Sequence, residues 1–186
     1  MKHIPLLRAA AAVLTSITLM TACAPSRNKE LKEINAMEGK LGETELVADS
    51  AAGSKMIERY LRFVEHFPED TLSPIFLYKA SDLSLNMGRY EQSVRCLRQI
   101  VDNYPDFREA STCYFLIGNA YEESEKYDSA VMAYNEFLEL YPDHPLAEGA
   151  RFAIGSIGQP LELVLQDMLA GNQGDSLAQD SKATVK

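Results

Sequence analysis

The chain has 186 residues, 46% of them hydrophobic, with 18 basic against 27 acidic side chains and a formal net charge of −9 at pH 7. That length provides one domain plus ends, and the apolar fraction is enough for a core. The acidic balance argues against nucleic acid, whose binding rests on neutralising phosphates with Lys and Arg. It also argues against an electrostatic dock on anionic lipid.

The amino terminus reads as a targeting segment over residues 1–22. Lys2 and Arg8 give it a basic start, and Ala9 to Met20 is apolar apart from Thr and Ser. That run is too short to span a bilayer, which takes about 20 helical residues. It closes on Met20-Thr21-Ala22-Cys23, small residues ahead of a cysteine. This ending resembles the lipobox of bacterial lipoproteins, with Met20 where Leu is usual. The resemblance implies a diacylglyceryl group on the Cys23 thiol, cleavage before Cys23 and acylation of the new amine. Each buried CH₂ of such chains contributes about 0.8 kcal/mol, so several chains make a stable anchor. Ala24 follows Cys23 where the inner-membrane retention signal has Asp, which implies the outer membrane.

Residues 23–54 read as a lipidated tether and partly helical linker. The spacing predicts a helix near 29–38, interrupted at Gly39 and Gly42. Ala51-Ala52-Gly53-Ser54 reads as a break, with Ser54 as N-cap.

From Lys55 an apolar stripe recurs three times. Met56, Tyr60, Phe63 and Phe67 end at Pro68. Ser93, Leu97, Ile100 and Tyr104 end at Pro105. Ala130, Tyr134, Phe137 and Tyr141 end at Pro142. The prolines recur every 37 residues. Residues three and four apart share a helix face, and a proline cannot continue a helix interior. In the most regular copy, Tyr114, Ile117 and Tyr121 share one face of a first helix. Ala130, Tyr134 and Phe137 share one face of a second. Small residues at Gly118 and Ala130 let the two backbones approach, and a large residue at Ala130 would overpack the crossing by about 1–3 kcal/mol.

Tyr114, Ile117-Gly118, Tyr121, Ala130, Tyr134, Phe137 and Pro142 resemble the tetratricopeptide repeat (TPR) motif: large residue, Leu-Gly, Tyr, Ala, aromatic, Pro. The common repeat length is about 34, so the extra residues are expected in the turns at Glu69–Ser73 and Asp106–Ala110. The resemblance implies an all-α fold over 55–170, a TPR-type right-handed α-solenoid of antiparallel helix pairs with a concave inner face. A helical extension precedes it. A terminal cap at Leu161–Leu169 shows a face of Leu161, Val164, Leu165 and Met168. Residues 171–186 are polar, without apolar period, and are expected to be a disordered tail.

No GxxxxGK[ST], HExxH, GxSxG or GxGxxG motif is present, so no enzyme, metal or cofactor is expected beyond the covalent lipid on Cys23. Gly155-Ser156-Ile157-Gly158 lacks the nucleophile-elbow spacing. Cys96 and Cys113 show no CxxC spacing and read as two separate buried thiols, with a disulfide between them as the alternative.

Ligand contacts in this family come mostly from the inner face of each first helix. Carried over, those positions are Tyr78, Asp82, Leu85 and Asn86, then Phe115, Asn119, Glu122 and Glu123, then Phe152 and Ser156. An aromatic row beside Asn and acidic groups suits an extended peptide or a partner helix. The same aromatics also suit packing on neighbouring helices. The implied function is a membrane-anchored scaffold for protein–protein interactions in the cell envelope, lipid-anchored to the outer membrane and facing the periplasm. Its partners are envelope proteins held in the groove. This plan is similar to the lipoprotein subunit of the β-barrel assembly machinery and to periplasmic repeat proteins that coordinate envelope constriction with cell-wall synthesis. The alternative is an accessory factor docking a peptidoglycan hydrolase or another envelope enzyme.

Overall fold

A computed structural model describes residues 25–43, 50–159 and 162–163. The targeting segment 1–22, Cys23, most of the cap at 161–169 and the tail 171–186 lie outside the described residues. Among those described, every regular element is an α-helix. None is long and apolar enough to cross a membrane. The chain divides into two compact units, Met1–Ser73 and Pro74–Lys186.

The first unit contains α1, Arg27–Glu43, packed against α2, Ser50–His66. Both differ from the sequence expectation. α1 runs through Gly39 and Gly42 instead of being interrupted there. Ala51–Ser54 form the first turns of α2 instead of a break, so Ser54 is not an N-cap. A glycine in a helix interior costs only about 1 kcal/mol relative to alanine, and contacts across the pair offset that. Gly53 is itself buried. On α2, Met56, Ile57, Tyr60, Phe63 and Val64 are buried, one stripe at helical spacing. Among its residues 27–40, α1 contributes one fully buried apolar side chain, Ile34.

The second unit is made of α3 (Ser73–Asn86, beginning one residue before the boundary), α4 (Tyr90–Asn103), α5 (Ala110–Glu123), α6 (Tyr127–Leu140) and α7 (Ala147–Ser156). α5 packs against α4 and α6, and α7 packs against α6. The repeat is visible in the backbone itself. Phe67, Tyr104 and Tyr141, each before a proline, leave the helix, because the proline ring disfavours α geometry in the preceding residue. Tyr104 has φ −133° and ψ 57°, and Tyr141 has φ −136° and ψ 59°. Their N–H groups still reach back to Ile100 and Phe137 carbonyls at 2.8 Å. Two successive i to i+3 turns follow, Phe107 N–H to Tyr104 and Ala110 N–H to Phe107, both at 2.9 Å. The same pair recurs at His144 and Ala147 and, in the first unit, at Asp70 and Ser73. These turns absorb the residues beyond the common repeat length.

Within a pair the connection is shorter. Gly88 and Glu125 sit in left-handed backbone at φ 69° and 58°. Arg89 N–H then bonds the Ser84 carbonyl at 2.8 Å, and Lys126 N–H bonds the Tyr121 carbonyl at 2.9 Å. These six-to-one closures satisfy carbonyls left over at the end of each first helix.

Tyr134 and Phe137 are buried to 1% and 0% exposure, with Ala130 and Ala150 beside them. Gly118 is required here. A methyl in place of its hydrogen would lie 2.5 Å from the Tyr134 ring. Cys96 and Cys113 are both free and buried, with no disulfide. Burial pushes their thiols up to about 11 and about 12, respectively, so both stay protonated and unreactive near neutral pH.

Candidate protein interface

The first helices carry the candidate positions, and the structure treats them unequally. On α3, Asp82 and Asn86 are exposed and joined by a weak amide-to-carboxylate contact of 3.4 Å. Tyr78, one turn earlier, is partly buried, and its ring lies 6.2 Å from that of Phe107. Burial raises the Tyr78 phenol above its ordinary value, helped by Cys113, Asp82 and Glu109 nearby. It therefore remains a neutral donor.

Phe115 does not belong to an open aromatic row. Its ring lies 5.4 Å from Tyr134 and 5.8 Å from Phe137. On its other side Gly149 brings α7 close enough that a methyl there would touch the ring at 3.8 Å. Asn119 and Glu122 are likewise occupied within the repeat. The Tyr134 hydroxyl donates to Glu122 Oε2 at 2.7 Å, and the Asn119 side chain bonds the same hydroxyl. Burial first, then Glu122 and Glu123, hold the Tyr134 phenol far above its ordinary range, against a smaller opposing effect of the Asn119 bond. Glu123 is exposed, Phe152 is 48% exposed, and Ser156 Oγ donates to the Ala153 carbonyl at 3.2 Å. Tyr78 and Phe115 are thus both half-buried, Phe115 against α6, while Phe152 is exposed.

The structure also assembles a groove that the motif positions alone did not reveal. Ile75, Tyr78 and Lys79 from α3 face Phe107, Arg108 and Glu109 from the turn before α5, enclosing about 390 Å³. Ile75 is 38% exposed, and Arg108 Nε donates to Glu109 Oε1 at 2.6 Å. The wall is apolar and the rim is charged, the composition of a peptide-anchoring site. The signal for Phe107 was present in the sequence, two residues beyond Pro105. It carries no motif weight, because only the fold brings that turn against α3.

One repeat later the corresponding turn residue is His144. Its ring stands 5.3 Å from Phe137, nearly perpendicular, and its Nδ1 accepts from the Leu146 N–H at 3.1 Å. His144 thus packs on its own repeat's second helix, while Phe107 packs on Tyr78 and lines the groove. The second helices are braced across repeats by Arg98 on Glu136, bidentate at 3.0 and 2.8 Å, and by Lys126 on Glu91 at 2.6 Å. Among the described residues no group of His, Cys, Asp and Glu could hold a metal ion.

No curated protein matches the chain. Residues 78–145, from the groove tyrosine to the third proline turn, match the family model described as tetratricopeptide repeat, a helix-pair unit that serves generally as a protein–protein interaction scaffold.

Proposed function

We propose that the chain is a lipid-anchored repeat scaffold of the bacterial envelope. Cys23 carries the lipid at the outer membrane, and the first-helix face of the repeats holds a protein partner on the periplasmic side. The lipobox-like ending at Met20–Cys23 supports the anchor. The groove walled by Ile75, Tyr78 and Phe107 supports the docking role, and this single observation carries it. Partly exposed aromatic side chains beside a charged rim are what a peptide or partner helix uses for anchorage. The reading assigns no catalytic residue and no cofactor.

Two measurements test it. Metabolic labelling with a fatty acid should mark the wild-type chain and not Cys23→Ser; label on the variant removes the anchor from the proposal. Residues 24–186 used as bait on solubilised envelopes should capture a partner that Tyr78→Ala with Phe107→Ala loses at unchanged helicity. Barrel-assembly proteins, division proteins or a peptidoglycan hydrolase as prey would each select one branch of the scaffold reading. Undiminished capture by the double variant would remove the groove from it.

A further inference from the structure

The charges of α1 are sorted by face. The carboxylates of residues 27–40 are Glu30, Glu33 and Glu38, and all of them turn toward α2. Glu30 meets His66 at 2.5 Å, Glu33 pairs with Arg59, and Glu38 accepts from the Tyr60 hydroxyl at 2.8 Å. Arg27 turns the same way, to Asp70. The exposed side chains of residues 28–40 are Lys29, Lys32 and Lys40 with Asn28, Asn35 and Ala36, and no carboxylate lies among them. At 3.6 residues per turn these share the side of the helix opposite the buried Ile34. A chain of formal net charge −9 thus presents a cationic face on α1.

The position of that face in the chain points to its occupant. Arg27 follows Cys23 by four residues, which extend over at most about 14 Å. With Cys23 anchored, the start of α1 stands within that distance of the bilayer. Lys29 and Lys32 occupy the first two turns of the helix. Lys40 lies about 17 Å further along the axis than Lys29, so a helix lying along the surface brings all three ammonium groups to the headgroups.

We infer that the outward face of α1 lies against anionic phospholipid headgroups, an inference that rests on the Cys23 anchor proposed above. The whole-chain charge argues against such a dock for a free protein. A tethered chain is already held at the surface, and its lysines only select the side that faces down. Their attraction to an anionic leaflet falls off within a Debye length, about 8 Å at physiological salt, so it acts on the face nearest the tether. An acidic protein in place of lipid is an outcome of the test.

The full chain, reconstituted into vesicles and floated with them, is acylated with a neutral amine-reactive ester and read peptide by peptide by mass spectrometry. On phosphatidylcholine vesicles with phosphatidylglycerol added, Lys29 and Lys32 should react about fivefold more slowly than on phosphatidylcholine alone. Lys126, held by Glu91 in the second unit, should not change. Salt at about 1 M should abolish the difference, and Lys29→Glu with Lys32→Glu should abolish it at Lys40. Equal rates on the two vesicles, or a matching slowdown at Lys126, would overturn the face and leave the anchor standing. Slowing that requires envelope proteins in the same vesicles would overturn it too, in favour of an acidic protein partner. Chain that floats with neither vesicle would remove the anchor, and this inference with it.

Discussion

The two helix pairs α1–α2 and α5–α6 are held by different forces. Across α5–α6 the contact is dry and aromatic. Phe137, Tyr134 and Ala130 lie at or below 1% exposure, and the seat at Gly118 admits no added atom. Across α1–α2 the contact is largely polar. Arg27 pairs with Asp70, Glu30 with His66 and Glu33 with Arg59, while the Tyr60 hydroxyl donates to Glu38 at 2.8 Å. Around these pairs Ile34 is the one fully buried residue among those of α1 whose burial is described. The Arg27 guanidinium holds the Asp70 carboxyl below the usual carboxylate range. Partly exposed ion pairs of this sort contribute only about 0–1 kcal/mol each and are screened by salt. Burying an aromatic side chain contributes several times more. Two helix pairs of one chain can thus differ in strength and in the solvent conditions they tolerate.

That contrast predicts a ranking. Phe137→Ala should cost the most, about 3–5 kcal/mol, because it opens a cavity at the centre of the dry seam. Its check is the urea midpoint followed by tyrosine fluorescence; a loss under 1 kcal/mol would mean the seam is not the core. Next, Glu125→Gly should raise stability by about 1 kcal/mol, since a residue with a Cβ is held there at φ 58°. An unchanged or lower thermal midpoint would count against strain at that turn. The smallest effect belongs to the polar seam. Glu33→Gln should loosen α1 by about 0.2–1 kcal/mol. Raising the salt to 1 M should act in the same direction, seen as faster amide exchange over 28–40 with no change over 112–138. Exchange of the two stretches in step would erase the distinction between the pairs.

Acid sharpens the same contrast. Asp70 has a folded-state pKa below its unfolded one, so its contribution is present above the unfolded value and fades as pH falls through the folded one. The dry seam has the opposite sign. The Tyr134 phenol is raised, so its contribution is whole below the unfolded tyrosine value near 10 and is lost as pH climbs above it.

Much of the fold could be read directly from the residues. Pro68, Pro105 and Pro142 stop helices through their own ring, whatever surrounds them. Stripes three and four apart make amphipathic helices, and Gly118 and Ala130 mark the close crossing, all by local stereochemistry. The amino terminus was less legible. Gly39, Gly42 and Gly53 look like breaks locally, but pairing of α1 with α2 outweighs a penalty of about 1 kcal/mol each.

The candidate interface was the least legible, for a definite reason. Tyr78, Phe115 and Phe152 are the same position in three repeats and carry the same kind of side chain. Sequence decides that each is an aromatic on a first helix. Only tertiary structure decides which neighbour covers it. Phe115 packs on Tyr134 and Phe137 of α6, Tyr78 shares a groove with Phe107, and Phe152 is half exposed. Helix formation and helix stops depend on contacts within a few residues. Exposure depends on chain segments in the next helix or the next repeat, and so the repeated pattern fixed the unit while the stacking of units fixed its surface.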